Sequence, residues 1–599
     1  SNAGRIALGS VRLSVIDLRN IANMPMKDPS NGNIISYNGE IYNFQEIRTK
    51  LEQFGHTFQT YTDTEVILKA YAQWGIDCIA RFTGMFAFCI WDATKEELIL
   101  CRDRLGEKPL YFASPSPNIF IFASELRAIL EAGLVKRKLD IVGLESYLFN
   151  GFVVSPNTLV EGVTSLLPGT YCTISNYSVK TERYYTLPFN AVSKTVDKNR
   201  VDQCRQTLMS SVENRLVSDV PLGAFLSGGL DSSAIVAMMA KRHSDVHTFS
   251  ISFDEHQYDE SSYSTHIASL FNTRHQDLRM KSGDFYRWLP DALNAFDQPS
   301  FDAINTYCVS RAAREAGIVV ALAGNGADEL FGGYPFFRQQ RPITWIASFM
   351  SSAVIRSIGR FAASQQNKLK LSVSGLIKLL ELSETDPNKF LHGTSVSAYQ
   401  VSQMHQPFWL RQELMTDKIS KGTIYGLPRE FLRFITQDLN GALLNNVSTI
   451  LAIRLFLGER ILRDADTMSM AVSLELRLPF TDHSFIEALS AIPGPLRTKD
   501  APNKAFEWSL LKHLFRDKFP YRDKQGFNLP FDLWMKNDVV QNTVMETLHD
   551  NSALRSSGLS YNAVHRLLDG FYRHNSVPWS RIWSLFILVN WCQTNRVQI

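Results

Sequence analysis

The string FLSGGLDSSAIV, residues 225–236, does most to limit the folds open to this chain. An apolar run, VPLGAFL, leads into it, and a helical pattern, SSAIVAMMAKRH, leads out. The turn therefore sits between a strand and a helix N-terminus. Backbone N–H groups there lack intrahelical partners, and the helix dipole favours an anion. Gly228 and Gly229 remove the Cβ atoms that would keep the backbone from a phosphate. Ser227, Ser232 and Ser233 add hydroxyl donors around Leu230. Asp231 would repel a phosphate, so its expected role is to hold Mg²⁺, which bridges to one. The turn holds no lysine, so it is not the G-x-x-x-x-G-K-S/T phosphate loop.

A second string repeats the logic. VVALAGNGADELFGGY, residues 319–334, runs from an apolar strand into glycines and then into Asp328 and Glu329. Asp328 is the second expected Mg²⁺ ligand. Short apolar strands (VPLGAFLS, VHTFSISF, GIVVALAG) alternate with helical patterns here, which predicts a parallel sheet with helices on both faces. Beyond residue 335 the pattern is almost wholly helical.

The first 190 residues or so read differently. Short β-like runs are divided by turn residues: IALGSVRLSVIDL, NIISYNGEIYN, GMFAFCIWDATKEELILCRDRL, NIFIFASE and GTYCTISNYSV. They predict packed antiparallel sheets with hairpin loops at 92–94 and 114–118. One helix is expected at 65–74, capped by Thr62 or Asp63. The polar stretch NAVSKTVDKNR, residues 190–200, is expected to link two domains, 1–189 and 201–599. A chain of 599 residues is too long for one ordinary core.

Composition excludes several classes. The formal net charge is +3, with no basic stripe, so a nucleic-acid partner is not expected. The seven cysteines form no CxxC pair and no zinc spacing, and read as buried thiols of a cytoplasmic protein. The longest apolar runs, 343–355 and 582–592, fall short of the about 20 residues that span a bilayer, so they read as core helices and no membrane partner is expected. The opening Ser-Asn-Ala reads as the remnant of a cleaved tag.

The lysine-free S-G-G-x-D-S-S turn resembles the pyrophosphate loop of ATP-pyrophosphatases, which cleave ATP between the α- and β-phosphates. ISYNGEIYNFQEIR (35–48), YTDTEVILKAY (61–71) and FTGMFAFCIWDATKEELILCRDRLGEKPLYF (82–112) resemble the glutaminase domain of class II amidotransferases. DADTMSMAVSLELRLPFTDH (464–483) and DKQGFNLPFDLWM (523–535) resemble the synthetase domain of glutamine-dependent asparagine synthetases. The resemblance covers nearly the whole chain. It implies an N-terminally incomplete α+β domain of layered antiparallel sheets (the Ntn type), then an α/β ATP-pyrophosphatase domain with a large helical C-terminal part. It implies that glutamine is hydrolysed in the first domain and that ammonia passes to the second. There ATP adenylates a carboxylate, aspartate by the family's habit, and ammonia displaces AMP.

Carried over by residue, the resemblance assigns the Asn38 side chain and the Gly39 backbone to an oxyanion hole, whose donors are worth roughly 3–4 kcal/mol each. It gives Arg12 the glutamine carboxylate, and Glu40 and Asp63 the amino group. It places the adenine among Phe225, Ile251, Ala323 and Gly324. Lys504, in APNKAFEWSLLK, aligns with a lysine that stabilises charge on the α- and β-phosphates. Relatives pair as homodimers, which is analogy alone.

Three departures qualify the resemblance. The family nucleophile is an N-terminal cysteine whose α-amino group is the base. None precedes Gly4 here, so the glutaminase half is expected to be inactive as given. Ser10 and Val11 replace a histidine and a polar residue. Asn325 stands where the family carries an acid, and an amide cannot act as a base. DQPSFDAINTY, residues 297–307, also departs near the acceptor site. These changes leave other readings open: an amidotransferase acting on a uronic acid sugar, a tRNA-modifying pyrophosphatase, or an inactive relic that binds partners.

Overall fold

The computed structural model describes residues 6–189, 197–338, 393–416, 422–515, 518–520 and 529–599. The expected apolar run at 343–355 lies outside them, as do residues 190–196 and 523–528 of the quoted motifs.

The N-terminal part contains two antiparallel sheets. Six strands lie in the order β1 (Met26–Lys27), β2 (Ile34–Ile41), β3 (Gly84–Asp92), β4 (Glu97–Arg102), β8 (Thr170–Ser175) and β9 (Ser178–Arg183). A second sheet orders β6 (Ile119–Ala123), β5 (Tyr111–Ser116) and β7 (Val163–Ser165). β2 pairs with β3 along its whole length, from Ile34 opposite Trp91 to Ile41 opposite Gly84. The period-two pattern puts Ile35, Tyr37 and Phe88 into a core covered by the helices Phe44–Gln53 and Asp63–Trp74. The second helix starts at Asp63, two residues before the expected position, and of the two candidate caps Thr62 serves: its side chain accepts from Glu65 N–H.

One expected strand is absent. The run IALGSVRLSVIDL forms no ladder over residues 6–18. Its ties are isolated hydrogen bonds rather than a ladder: Ser36 Oγ donates to the Gly9 carbonyl at 3.0 Å, and Asp219 N–H to the Val15 carbonyl at 2.9 Å. Apolar β-branched residues favour extended backbone, but a strand also needs a neighbour in register.

The second part carries the predicted parallel sheet. Among the described residues its five strands are ordered β12 (Arg274–Met280), β11 (His247–Phe253), β10 (Leu222–Phe225), β13 (Val320–Leu322) and β16 (Glu475–Arg477). β14 (Thr423–Ile424) and β15 (Leu427–Pro428) form a separate small hairpin. The helix Leu230–Ala240 leaves β10 at its C-terminal end, and Ala327–Phe331 leaves β13 likewise. Ligands of open α/β sheets bind outside those strand ends. The helix Lys198–Asn214, capped by Asp197, takes up the end of the expected linker.

The two parts interlock through buried polar groups. Asp297 accepts from Leu126 N–H and Arg127 N–H, and Glu459 accepts from Ser155 N–H at 2.8 Å. Lys108 Nζ donates to Asp466 at 2.6 Å. The run 582–592 lies in the helix Trp579–Asn595, which is buried in the larger core. No helix among the described residues is long and apolar enough to cross a membrane. All seven cysteines are buried and free, as their dispersal predicted.

Candidate active site

A cavity of about 710 Å³ opens at the C-terminal ends of β10, β11 and β13. Most of the residues singled out from the sequence line it. From the first glycine turn come Phe225, Ser227, Gly229, Leu230, Asp231 and Ser232, and from the second Ala323, Gly324, Asn325 and Asp328. Ile251 comes from β11, and Lys504 from the far C-terminal part. Residues nearly 280 positions apart meet because the parallel strands all end on one edge.

Two members of the first turn do not line the cavity. Gly228 has φ +74°, and a Cβ there would lie 2.5 Å from Tyr263 Cβ. Its missing side chain admits the helix Ser261–Phe271. Ser233 is fully buried on the inner side of its own helix and donates its N–H to the Gly229 carbonyl at 3.0 Å. Gly324 does need to be glycine for the site. A Cβ there would lie 2.9 Å from Asp231 Cβ, so its absence lets the two turns close on each other. Ser227 Oγ and Ser232 Oγ stand 3.1 Å apart across the turn.

The charges converge on Lys504. Its backbone is left-handed, φ 50°, at the start of the helix Ala505–Leu511, which turns the side chain inward. Nζ contacts Asp231, reaches Asp328 at 2.9 Å and Glu507 at 3.0 Å, and is almost wholly buried. Burial works to lower the Lys504 pKa, but Asp231, Asp328 and Glu507 outweigh it and raise it well above the ordinary value. Burial and the Asp231 charge push the Glu507 carboxyl well above the usual carboxylate range. Sequence reading missed Glu507. Its signal is spacing: it lies three residues after Lys504, one turn along the same helix.

Asp231 and Asp328 reach the same ammonium, so their carboxylates converge within range of one cation. Among the described residues no three or more His, Cys, Asp or Glu side chains form a metal cage. Two carboxylates on one side of the cavity supply the oxygen donors that fit a Mg²⁺ ion.

Farther along the cavity wall, Arg460 pairs with Asp302, and its guanidinium stacks 4.6 Å from Phe301 and 4.5 Å from Phe456. Asp464 accepts from Ser300 Oγ at 2.6 Å, and burial raises its pKa to about 6.

The residues assigned to glutamine lie in the N-terminal part. Gly39 has φ +144°, and a Cβ there would fall on the Met85 carbonyl. Asn38 Nδ2 donates to Ser124 Oγ at 3.4 Å. Asp63 is buried and accepts from Tyr37 O–H at 2.7 Å and Ile41 N–H at 2.9 Å. Glu40 is also buried and faces Arg477 of β16 at 3.6 Å. Burial, then the charges of Asp63 and Glu475, raise its pKa well above the usual range. Arg12 donates to the carbonyls of Ile16 and Asp17 in its own loop. The structure thus gathers Gly39, Glu40 and Asp63 at one corner of β2, and spends Arg12 locally.

Comparison with known proteins finds matches in both parts of the chain. Residues 203–593 match the asparagine synthase family profile, and residues 1–185 match that of the glutamine amidotransferase domain. Asparagine synthetase (glutamine-hydrolyzing) 1 of Bacillus subtilis is 29% identical over 600 residues, covering 98% of this chain and 90% of that protein. A putative asparagine synthetase (glutamine-hydrolyzing) 2 of Methanocaldococcus jannaschii is 37% identical over 350 residues, 55% of this chain and 67% of that one. A fungal relative, amidase chyE of Penicillium rubens, is 27% identical over 575 residues, 88% of this chain and 81% of that one.

Proposed function

The chain belongs to the asparagine synthase family, and from that premise we propose that it is an ATP-dependent carbon–nitrogen ligase that adenylates a carboxylate and converts it to an amide. The observation that carries the reading is the meeting of Asp231, Asp328 and Lys504 at the mouth of the lysine-free turn.

The turn's N–H groups and the Ser227 and Ser232 hydroxyls receive phosphate oxygens at the start of the helix Leu230–Ala240. The adenine lies against Phe225, Ile251, Ala323 and Gly324. Asp231 and Asp328 would hold Mg²⁺, which supplies neutralising charge to the phosphates. Lys504 brings the cation that the loop lacks. Held by Asp328 and Glu507, it is preorganised for the anionic charge that grows at the α-phosphate. A carboxylate oxygen of the acceptor attacks the α-phosphorus, pyrophosphate leaves, and ammonia then displaces AMP from the acyl carbon.

In the N-terminal domain, placed at 1–189, Asn38 Nδ2 and the Gly39 N–H serve as oxyanion donors toward glutamine. Glu40 and Asp63 take its ammonium. Arg12 takes its carboxylate, in exchange for the carbonyls of Ile16 and Asp17. The synthetase domain is placed at 201–599, and the protein at work in the cytoplasm as a homodimer.

The test is pyrophosphate release from ATP, Mg²⁺ and ammonium chloride, with and without aspartate, by the chain and by Asp231→Ala. Ammonium supplies the nucleophile independently of glutamine. Acceptor-dependent release that the variant loses supports the reading. Equal release by Asp231→Ala refutes the loop assignment. Release that needs another carboxylate keeps the chemistry and changes the acceptor.

A further inference from the structure

A second cavity, of about 230 Å³, lies against the first. The two share Phe456 and Arg460 in their walls. Their electrostatics are opposite. The nucleotide cavity is lined by several acids, among them Asp231, Asp302, Asp328 and Asp464, which suits a cation-bound nucleotide. Among the described residues the second cavity has no acid in its lining and two guanidiniums, Arg460 and Arg581.

Neither guanidinium is saturated. Arg581 is half-buried, and no hydrogen bond or ion pair to its side chain occurs among the described residues. Burial accordingly lowers its pKa, with no compensating acid. Arg460 gives one edge to Asp302, while its buried Nε has no hydrogen-bond partner. Both cations face His405. Burial first, then Arg581 and, more weakly, Arg460, push that imidazole down to about 3, so it is neutral and adds no charge of its own. A half-buried guanidinium without a carboxylate is costly unless an anion completes it. The rest of the lining is mixed: Phe152, Phe301, Leu455 and Phe456 are apolar, while Gln400, Gln403 and Ser580 bring polar groups beside the two arginines. Such a wall suits hydroxyl groups as well as charge.

We propose that this second cavity is the distal subsite of the acceptor, and that it takes an anionic, hydroxyl-bearing group of the sugar-phosphate class between Arg460 and Arg581. The inference rests on the ligase reading above, in which the reacting carboxylate lies in the nucleotide cavity on the other side of Arg460. The acceptor then carries two anionic ends. Arg460 sits between them, and Arg581 reads only the distal one. The enzyme that consumes the product must accept an amide on a molecule that still bears its distal anion.

The test uses the full chain and α-D-glucuronic acid 1-phosphate as probe, with D-glucuronic acid and inorganic phosphate titrated separately by calorimetry. The probe is expected to bind more tightly than either fragment. Arg581→Gln is expected to weaken it about tenfold, the loss of one charge-assisted contact, and to leave D-glucuronic acid within about twofold. Arg573→Gln, on an exposed helix end, is the control and changes nothing. Equal probe binding by wild type and Arg581→Gln overturns the proposal, as does no binding of the probe at about 10 mM, where even a weak millimolar site is occupied. A non-cleavable ATP analogue is titrated in parallel. Failure of the nucleotide assignment appears as lost analogue binding, while the probe still reports on the second cavity.

Discussion

Lys504 Nζ stands 2.9 Å from the Asp328 carboxylate and also contacts Asp231, so one buried ammonium ties together both glycine turns. The lysine missing from the loop itself arrives from a segment about 270 residues later.

Replacing that lysine should separate rate from affinity. Lys504→Ala is expected to lower the rate of pyrophosphate release about a hundredfold, with ATP affinity changed severalfold at most. It also leaves Asp231, Asp328 and Glu507 facing one another without a cation. Removing one partner of a buried ion cluster costs about 3 kcal/mol or more. The variant should therefore melt earlier than wild type, and the Lys504→Ala, Glu507→Gln double variant should recover part of the loss. Differential scanning calorimetry and steady-state kinetics check the two claims separately.

The glycine turns make a steric prediction. Gly228→Ala should destabilise the fold by about 2 kcal/mol or more, because a Cβ meets Tyr263 and φ is +74°. Gly229, with φ −71°, is not left-handed, and the nearest atom to its added Cβ is Ser227 Oγ at 3.3 Å. Gly229→Ala should thus fold nearly normally and act on nucleotide binding. Melting curves beside ATP titrations distinguish a packing glycine from a binding one.

Arg477 joins the two parts of the chain. It donates to the carbonyls of Arg215 and Val217 at 2.8 and 2.7 Å, pairs with Glu475, and lies 3.6 Å from Glu40. Arg477→Ala removes the cation from beside two buried acids. The expected cost is about 3–5 kcal/mol, read as a lower denaturant midpoint and as easier proteolysis between the two halves.

Asp464 gives a pH signature. Its folded pKa is raised to about 6 by burial, above the ordinary carboxylate value near 3.8. Between those values the native chain holds a proton that the unfolded chain has released. Its contribution to stability is therefore greatest in acid and declines as pH rises toward 6. Asp464→Asn cannot ionise. Its melting temperature relative to wild type should be higher at pH 7.5 than at pH 4.5.

Much of this site was legible in the sequence because its residues lie in local signatures. A glycine turn between strand and helix, or Thr62 three residues before Glu65, needs no knowledge of distant contacts. Glu507 and Arg460 were not legible, since a charged residue in a helical run reads the same whether it faces solvent or a cavity. The packing of Gly228 was not legible for the same reason: the helix that lies against it comes from a distant stretch of the chain. The run at 6–18 shows the limit for strands, where alternation signals extended backbone but not a partner.

The account's central claim is that the acceptor carboxylate attacks the α-phosphorus of ATP. The most direct measurement uses the best acceptor labelled with ¹⁸O in its carboxylate, with ATP, Mg²⁺ and ammonium, and follows the label by mass spectrometry. The account predicts one ¹⁸O in AMP for each amide formed, and none in pyrophosphate. Unlabelled AMP, or ADP and labelled phosphate in its place, would contradict it.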